Sequence, residues 1–108
     1  MNLEGVFAVH ADGVAPVDLY PGIRKRTPLS SDCPTGTRIL LVEIDPGHRF
    51  LELDVHQPGP EEVYVLEGIF HDGAREYPAG SFIHNPVGSS HIPQSATGCK
   101  LLVIFPQG

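Results

Sequence analysis

The run Tyr77-Pro78-Ala79-Gly80-Ser81-Phe82-Ile83-His84-Asn85-Pro86-Val87-Gly88-Ser89-Ser90-His91 holds one short apolar block between two Pro/Gly turns and ends on a histidine. Proline fixes φ and glycine supplies positive φ, so Tyr77–Gly80 and Asn85–Gly88 are turns with a mechanism. A block as short as Ser81–His84 between two such breakers reads as a strand. The same rhythm extends in both directions. Leu3–Val9, Gly22–Thr27, Thr37–Ile44, Phe50–His56, Glu62–Phe70 and Lys100–Phe105 are further short apolar or alternating blocks. Ala11-Asp12-Gly13, Ser31-Asp32-Cys33-Pro34, Asp45-Pro46-Gly47 and Gln57-Pro58-Gly59-Pro60 separate them. Regularly spaced short strands in a chain of this size predict an all-β sandwich, barrel or jelly roll.

The composition agrees. With 108 residues the chain has the length of a single domain, 1–108, able to bury roughly two-thirds of its unfolded surface. Its 11 Pro and 12 Gly accompany a hydrophobic fraction of 41%, which fits many short strands and not disorder. The net charge is −6 and no basic run exceeds Arg24-Lys25-Arg26, so nucleic acid and acidic membrane surfaces are not expected as partners. Met1–His10 has no basic region followed by a long apolar run, and no stretch approaches the ~20 apolar residues of a membrane helix. A soluble, cytoplasmic protein is expected. Cys33 and Cys99 are too few and too far apart for a disulfide framework or a paired zinc module, and read as reduced, buried thiols.

Period-two alternation assigns strand faces. Phe50, Glu52, Asp54 and His56 share one face of their block, with Leu51, Leu53 and Val55 on the other. Glu61, Val63 and Val65 share a face opposite Glu62, Tyr64 and Leu66. Leu101-Leu102-Val103-Ile104 is apolar on both faces, as in a central strand. The Asp54-x-His56 pair points two ligand-type side chains one way. The turn at 57–60 brings Glu61 beside them, and a third strand can add His91. Each piece alone reads as a solvated strand end or a core histidine. Together, Asp54, His56, Glu61 and His91 form a candidate site for one divalent transition metal: Fe(II), Mn(II), Zn or Ni.

These residues resemble the two motifs of the cupin superfamily. The first motif has a Gly, a His-x-His pair, a Glu after three or four residues, then a Gly after six. His56, Glu61 and Gly68 fit that spacing. The second has a Gly, five residues, Pro-x-Gly, two residues and a His, which Gly80, Pro86-Val87-Gly88 and His91 match without a gap. Val65–Phe70, Tyr77–Phe82, Asn85–His91 and Gly98-Cys99 look like the ChrR-type cupin domain, found in zinc-dependent anti-sigma factors and also standing alone. The resemblance covers about residues 20–105 and implies a jelly-roll, or double-stranded β-helix, barrel. One departure stands out: Asp54 takes the place of the first His of His-x-His, and Gly47 lies one residue too far from it. Asp54 is then either a ligand or a hydrogen-bond partner of a ligating imidazole.

The resemblance implies a small metal-dependent enzyme, dioxygenase-like or of related chemistry, acting on a small oxygenated molecule such as a diketone or keto acid. Phe50, Val63, Val65 and Phe82 are the expected apolar lining. Glu52 and His84 are secondary pocket candidates, while Tyr64 and Cys99 read as packing residues. The alternative is a non-catalytic ligand- or stress-sensing module, and a third reading is a metal-free cupin that keeps only the fold. With no helical domain or zinc-knuckle spacing, an anti-sigma role for this chain by itself is not expected. A homodimer is expected, because Leu51, Leu53 and Val55 need cover and Leu3–Val9 suits an edge or exchanged strand.

Overall fold

The computed structural model describes residues 1–108, and nearly all of its regular structure is strand. In chain order the strands are β1 (Val17–Tyr20), β2 (Ile23–Leu29), β3 (Arg38–Ile44), β4 (His48–Arg49), β5 (Asp54–Val55), β6 (Glu61–His71), β7 (Glu76–Pro78), β8 (Phe82–Asn85), β9 (Ser90–His91), β10 (Gln94–Ser95) and β11 (Cys99–Phe105). The one helical piece is a 3-10 turn at Ala11–Gly13. No helix is long and apolar enough to cross a membrane.

Strands β1, β2, β3, β11, β6, β10 and β4 follow one another as hydrogen-bonded neighbours, with β7 and β8 also paired to β6. All of these pairings are antiparallel, and the sheet curls into a nearly closed jelly-roll barrel. A separate two-stranded ladder joins β5 to β9. As the alternation predicts, Glu61, Val63 and Val65 point inward and β11 lies centrally between β3 and β6. β6 is long because Gly68 lets it bend. Gly68 has φ +75°, and a Cβ there would sit 2.1 Å from the Gly98 carbonyl oxygen, so only glycine permits the close crossing at the β6–β11 bulge.

Cross-strand register stacks the inward residues in layers. Ile23, Ile44 and Cys99 fill one end of the barrel. Lys25, Val42, Leu101 and Val65 come next, then Leu40, Val103 and Val63. Arg38 and Phe105 pair at the far end. Both cysteines are free; Cys99 is buried as expected, whereas Cys33 is only half-buried.

Two expectations need correction. Leu3–Val9 forms no strand: it pairs with nothing in the chain, and Leu3, Val6, Phe7 and Val9 are all exposed. Phe50–His56 is not one strand either. Its two paired stretches, β4 and β5, face different partners, because the opposing segment is interrupted at Ile92-Pro93. Pro93 has no N–H to donate, and the Ile92 N–H goes to the Asp72 carbonyl, so no continuous ladder can form there. The face assignment survives the break: Leu51, Leu53 and Val55 are outward and uncovered in the single chain.

Candidate metal centre

The fold brings Asp54, His56, Glu61 and His91 to one point by three local devices. In the β5–β9 ladder Asp54 sits directly opposite His91, which puts both side chains on one face. His56 is held by its backbone, whose N–H donates to the Ser89 carbonyl while its own carbonyl accepts from the Gly88 N–H. Glu61 opens β6 opposite Asn85, whose side-chain amide donates weakly to Glu61 Oε1 at 3.4 Å. One donor atom from each of the four lies within 4.8 Å of those of the others.

The distances are those a cation requires. His56 Nε2 lies 3.1 Å from His91 Nε2 and 3.4 Å from Glu61 Oε1. Asp54 Oδ2 is 2.9 Å from His91 Nε2 and 3.6 Å from His56 Nε2, and His91 Nε2 is 3.7 Å from Glu61 Oε1. An ion with bonds of about 2.1 Å sets its ligand atoms about 3.0 Å apart at right angles and about 3.4 Å apart at the tetrahedral angle. Five of the six pairs among the two imidazole nitrogens and two carboxylate oxygens therefore already stand close to ligand–ligand spacing. The donor set fits Fe(II), Mn(II), Zn or Ni.

Hydrogen bonding supports one imidazole from behind and not the other. The Ser89 hydroxyl donates to the Pro86 carbonyl at 2.6 Å, so its lone pair accepts from His56 Nδ1–H at 3.0 Å. That proton on Nδ1 leaves His56 Nε2 bare and aimed at the centre. His91 Nδ1 is buried with no partner, so no group supports the ring from behind; in the metal-free protein Nε2–H donates to Asp54 at 2.9 Å, and the ring stands edge-on to Phe70 and His56. Asp54 touches the Nε2 atoms, not an Nδ1. It shares the side on which a metal would sit, and does not support an imidazole from behind.

Burial divides the four. The His56, His91 and Glu61 side chains are almost fully enclosed, whereas that of Asp54 is 35% exposed and faces the opening. Burial pushes the Glu61 carboxyl up to about 7. The hydrogen bond from His91 holds Asp54 below the usual carboxylate range. Burial, reinforced by the neighbouring His91, lowers His56 and keeps its imidazole neutral. A buried acid near neutrality beside an ionised carboxylate and a neutral imidazole is the electrostatic state in which an incoming cation displaces one proton and gains strong ligands.

The group opens into a barrel cavity of about 270 Å³. Phe50, Val63, Phe70, Leu101 and Val103 form its apolar wall. Phe50 and Val63 stand where the sequence places them. Val65 lies just below, in the packed core, and Phe82 does not line the cavity: it is 60% exposed on the outer face of β8. His84 shares that outer face, 3.9 Å from Glu62, and Glu52 is exposed at the bend between β4 and β5. The Phe82–Asn85 strand shows its other face inward because its register places Phe82 opposite the outward Tyr64. Sequence reasoning missed Ser89, Lys25 and Arg38. Alternation from Ile23 sends Lys25 inward, and alternation back from Leu40 does the same for Arg38; both line the cavity.

No curated protein matches significantly. Among solved structures, the polyketide cyclase RemF from Streptomyces resistomycificus is similar at TM-score 0.79 and 22% identity, over 95% of this chain and 80% of that one. A candidate acetylacetone dioxygenase from Methylibium petroleiphilum is similar at TM-score 0.78 and 18% identity, over 93% and 76%. The Rhodobacter sphaeroides complex of SigE with the anti-sigma ChrR matches at TM-score 0.69 and 24% identity; 89% of this chain is covered, but only 51% of that chain. At such identities these likenesses establish the fold. Residues 4–107 match the profile of the ChrR cupin-like domain, nearly the whole sequence. A cupin barrel with an acidic-imidazole cluster in its mouth and a family profile matched from end to end together make the chain a member of the ChrR cupin-like family.

Proposed function

We propose that this protein is a small metal-dependent enzyme of dioxygenase-like or related chemistry, with Asp54, His56, Glu61 and His91 as ligands of one divalent transition metal. The observation that carries the reading is the convergence of four donor atoms within 4.8 Å at the wall of a cavity large enough for a small molecule. When bound, such an ion supplies Lewis-acid polarisation of a carbonyl or enolate oxygen, and Fe(II) also supplies redox chemistry with dioxygen. The chain's own residues do the rest. Ser89 holds the proton on His56 Nδ1. Glu61, when metal-free, keeps its proton near neutral pH because it is buried. Phe50, Val63, Phe70 and Leu101 exclude water from the reacting region and leave it open on the Asp54 side.

The test is elemental analysis of tag-free protein, wild type beside His91→Ala. Wild type is expected to hold about one metal per chain and the variant almost none, with the same far-UV circular dichroism. Full metal occupancy in the variant removes the ligand assignment. Oxygen uptake by Fe(II)-loaded protein over diketones and keto acids then separates an enzyme from a module that only senses a ligand, the reading that membership in the ChrR cupin-like family favours.

A further inference from the structure

The strand β2 carries three consecutive cations with two different fates. Arg24 and Arg26 point outward and are neutralised: Arg24 meets Glu43 at 2.7 Å and Asp45 at 3.2 Å, and Arg26 meets Glu43 at 2.7 Å. Lys25 between them points inward, opposite the buried Val42, and lines the cavity. Arg38, two residues before the inward Leu40, lines the same cavity and lays its guanidinium 4.1 Å over the Phe105 ring. Neither Lys25 nor Arg38 is in an ion pair, whereas Arg24, Arg26 and Lys100 all are; Arg49 and Arg75 are also unpaired, but they are exposed to water. In a chain of net charge −6, two half-buried cations share one cavity with no carboxylate at ion-pair distance.

Two carboxylates do lie in the cavity, Asp54 and Glu61, and both belong to the donor cluster. A bound dication takes up their charge. Lys25 and Arg38 then remain as net positive charge in an apolar-walled space, where a cation without a counter-ion is costly. The cation–π contact with Phe105 leaves the Arg38 N–H fork without a hydrogen-bond partner in the protein, the arrangement suited to a planar carboxylate. The cavity volume, at the small end for ligand pockets, suits a small molecule.

We propose that Lys25 and Arg38 form the anion-recognition half of the binding site, and that the substrate is a small carboxylate carrying a second oxygen that reaches the metal centre. A 2-oxo acid meets that description and a neutral diketone does not. The inference rests on the metal reading above for the second oxygen, and on the cavity alone for the carboxylate.

Calorimetric titration of Zn-loaded protein, which is redox-silent, compares pyruvate with its uncharged isostere pyruvamide. Pyruvate is expected to bind about tenfold more tightly or better. Lys25→Met and Arg38→Met should each bring that ratio close to unity with Zn content and melting temperature unchanged, while Lys25→Arg retains it. Equal affinity for the two compounds in wild type, no pyruvate binding at millimolar concentration, or a wild-type ratio in both Met variants would overturn the proposal. Zn content of the same samples keeps the two readings apart. Zn retained with no preference for pyruvate overturns the anion site alone; preference retained in protein that takes up no Zn overturns the metal reading alone.

Discussion

The two ends of the barrel are built from the same strands by the same alternation, yet one is filled and the other hollow. At the filled end the inward residues are Ile23, Ile44, Val65 and Cys99, all aliphatic or thiol and all buried. Burial pushes the Cys99 thiol up to about 11, so it behaves there as an inert apolar group. Two, four or six residues away along those strands the inward positions are Lys25, Glu61 and Arg38, around an apolar wall. The pleat makes no distinction between these positions; only the side chains do. The filled end therefore holds the walls in place, and the hollow end spends part of that stability on charged groups kept from water.

The largest expected effect probes the hollow end through pH. Glu61 in the folded, metal-free protein keeps its proton up to about 7, while the unfolded chain releases it near 4.5. Between those values the unfolded state binds fewer protons, so stability falls as pH rises through the window, by on the order of 3 kcal/mol in all. Urea midpoints of metal-free protein should drop from about pH 5 to about pH 8, and Glu61→Gln should remove the drop. A flat profile in wild type would mean that the acid is not isolated from water.

A second pair contrasts the ends on one strand. Val65 and Val63 are adjacent inward residues of β6, one in the packed core and one on the cavity wall. Val65→Ala should cost about 2–3 kcal/mol in urea unfolding and Val63→Ala about 1 kcal/mol, because the first opens a dry void and the second enlarges an existing space. Equal costs would erase the distinction between filled and hollow. The smallest effect is at Ser89. Ser89→Ala should weaken Zn affinity about tenfold, read by competition with a chelator, with little change in the unfolding midpoint, since the hydroxyl fixes the His56 tautomer and its other bond, to the Pro86 carbonyl, lies in an exposed turn.

How much of this was legible in the sequence follows from the range of the interactions involved. Inward Glu61, Val63 and Val65 and the central place of β11 were readable, because period two is a local property. The identity of the four clustered residues was readable from spacing, since tight turns and a cross-strand pair bring them together. The split of Phe50–His56 was not: it depends on Pro93, about forty residues away, failing to donate to a partner strand. Phe82 was misplaced for a related reason, as its face is set by pairing with Tyr64 and not by its own neighbours. Lys25 lay hidden in a basic run. Its neighbours' counter-ions, Glu43 and Asp45, are on another part of the chain, so nothing local marked the middle cation as the unpaired one.

The pairing of Asp54 with His91 rests on a ladder of two residue pairs, the other being Val55 with Ser90. Sliding β5 past β9 by a single position would pair Val55 with His91, turning Val55 to the interior and sending the carboxylate outside while the imidazole stayed. The carboxylate's membership of the cluster is thus a matter of parity: an insertion of one residue between Phe50 and Asp54, carried into the ladder, would turn Asp54 out while Glu61 and His91 stayed, whereas an insertion of two would leave it facing the same way.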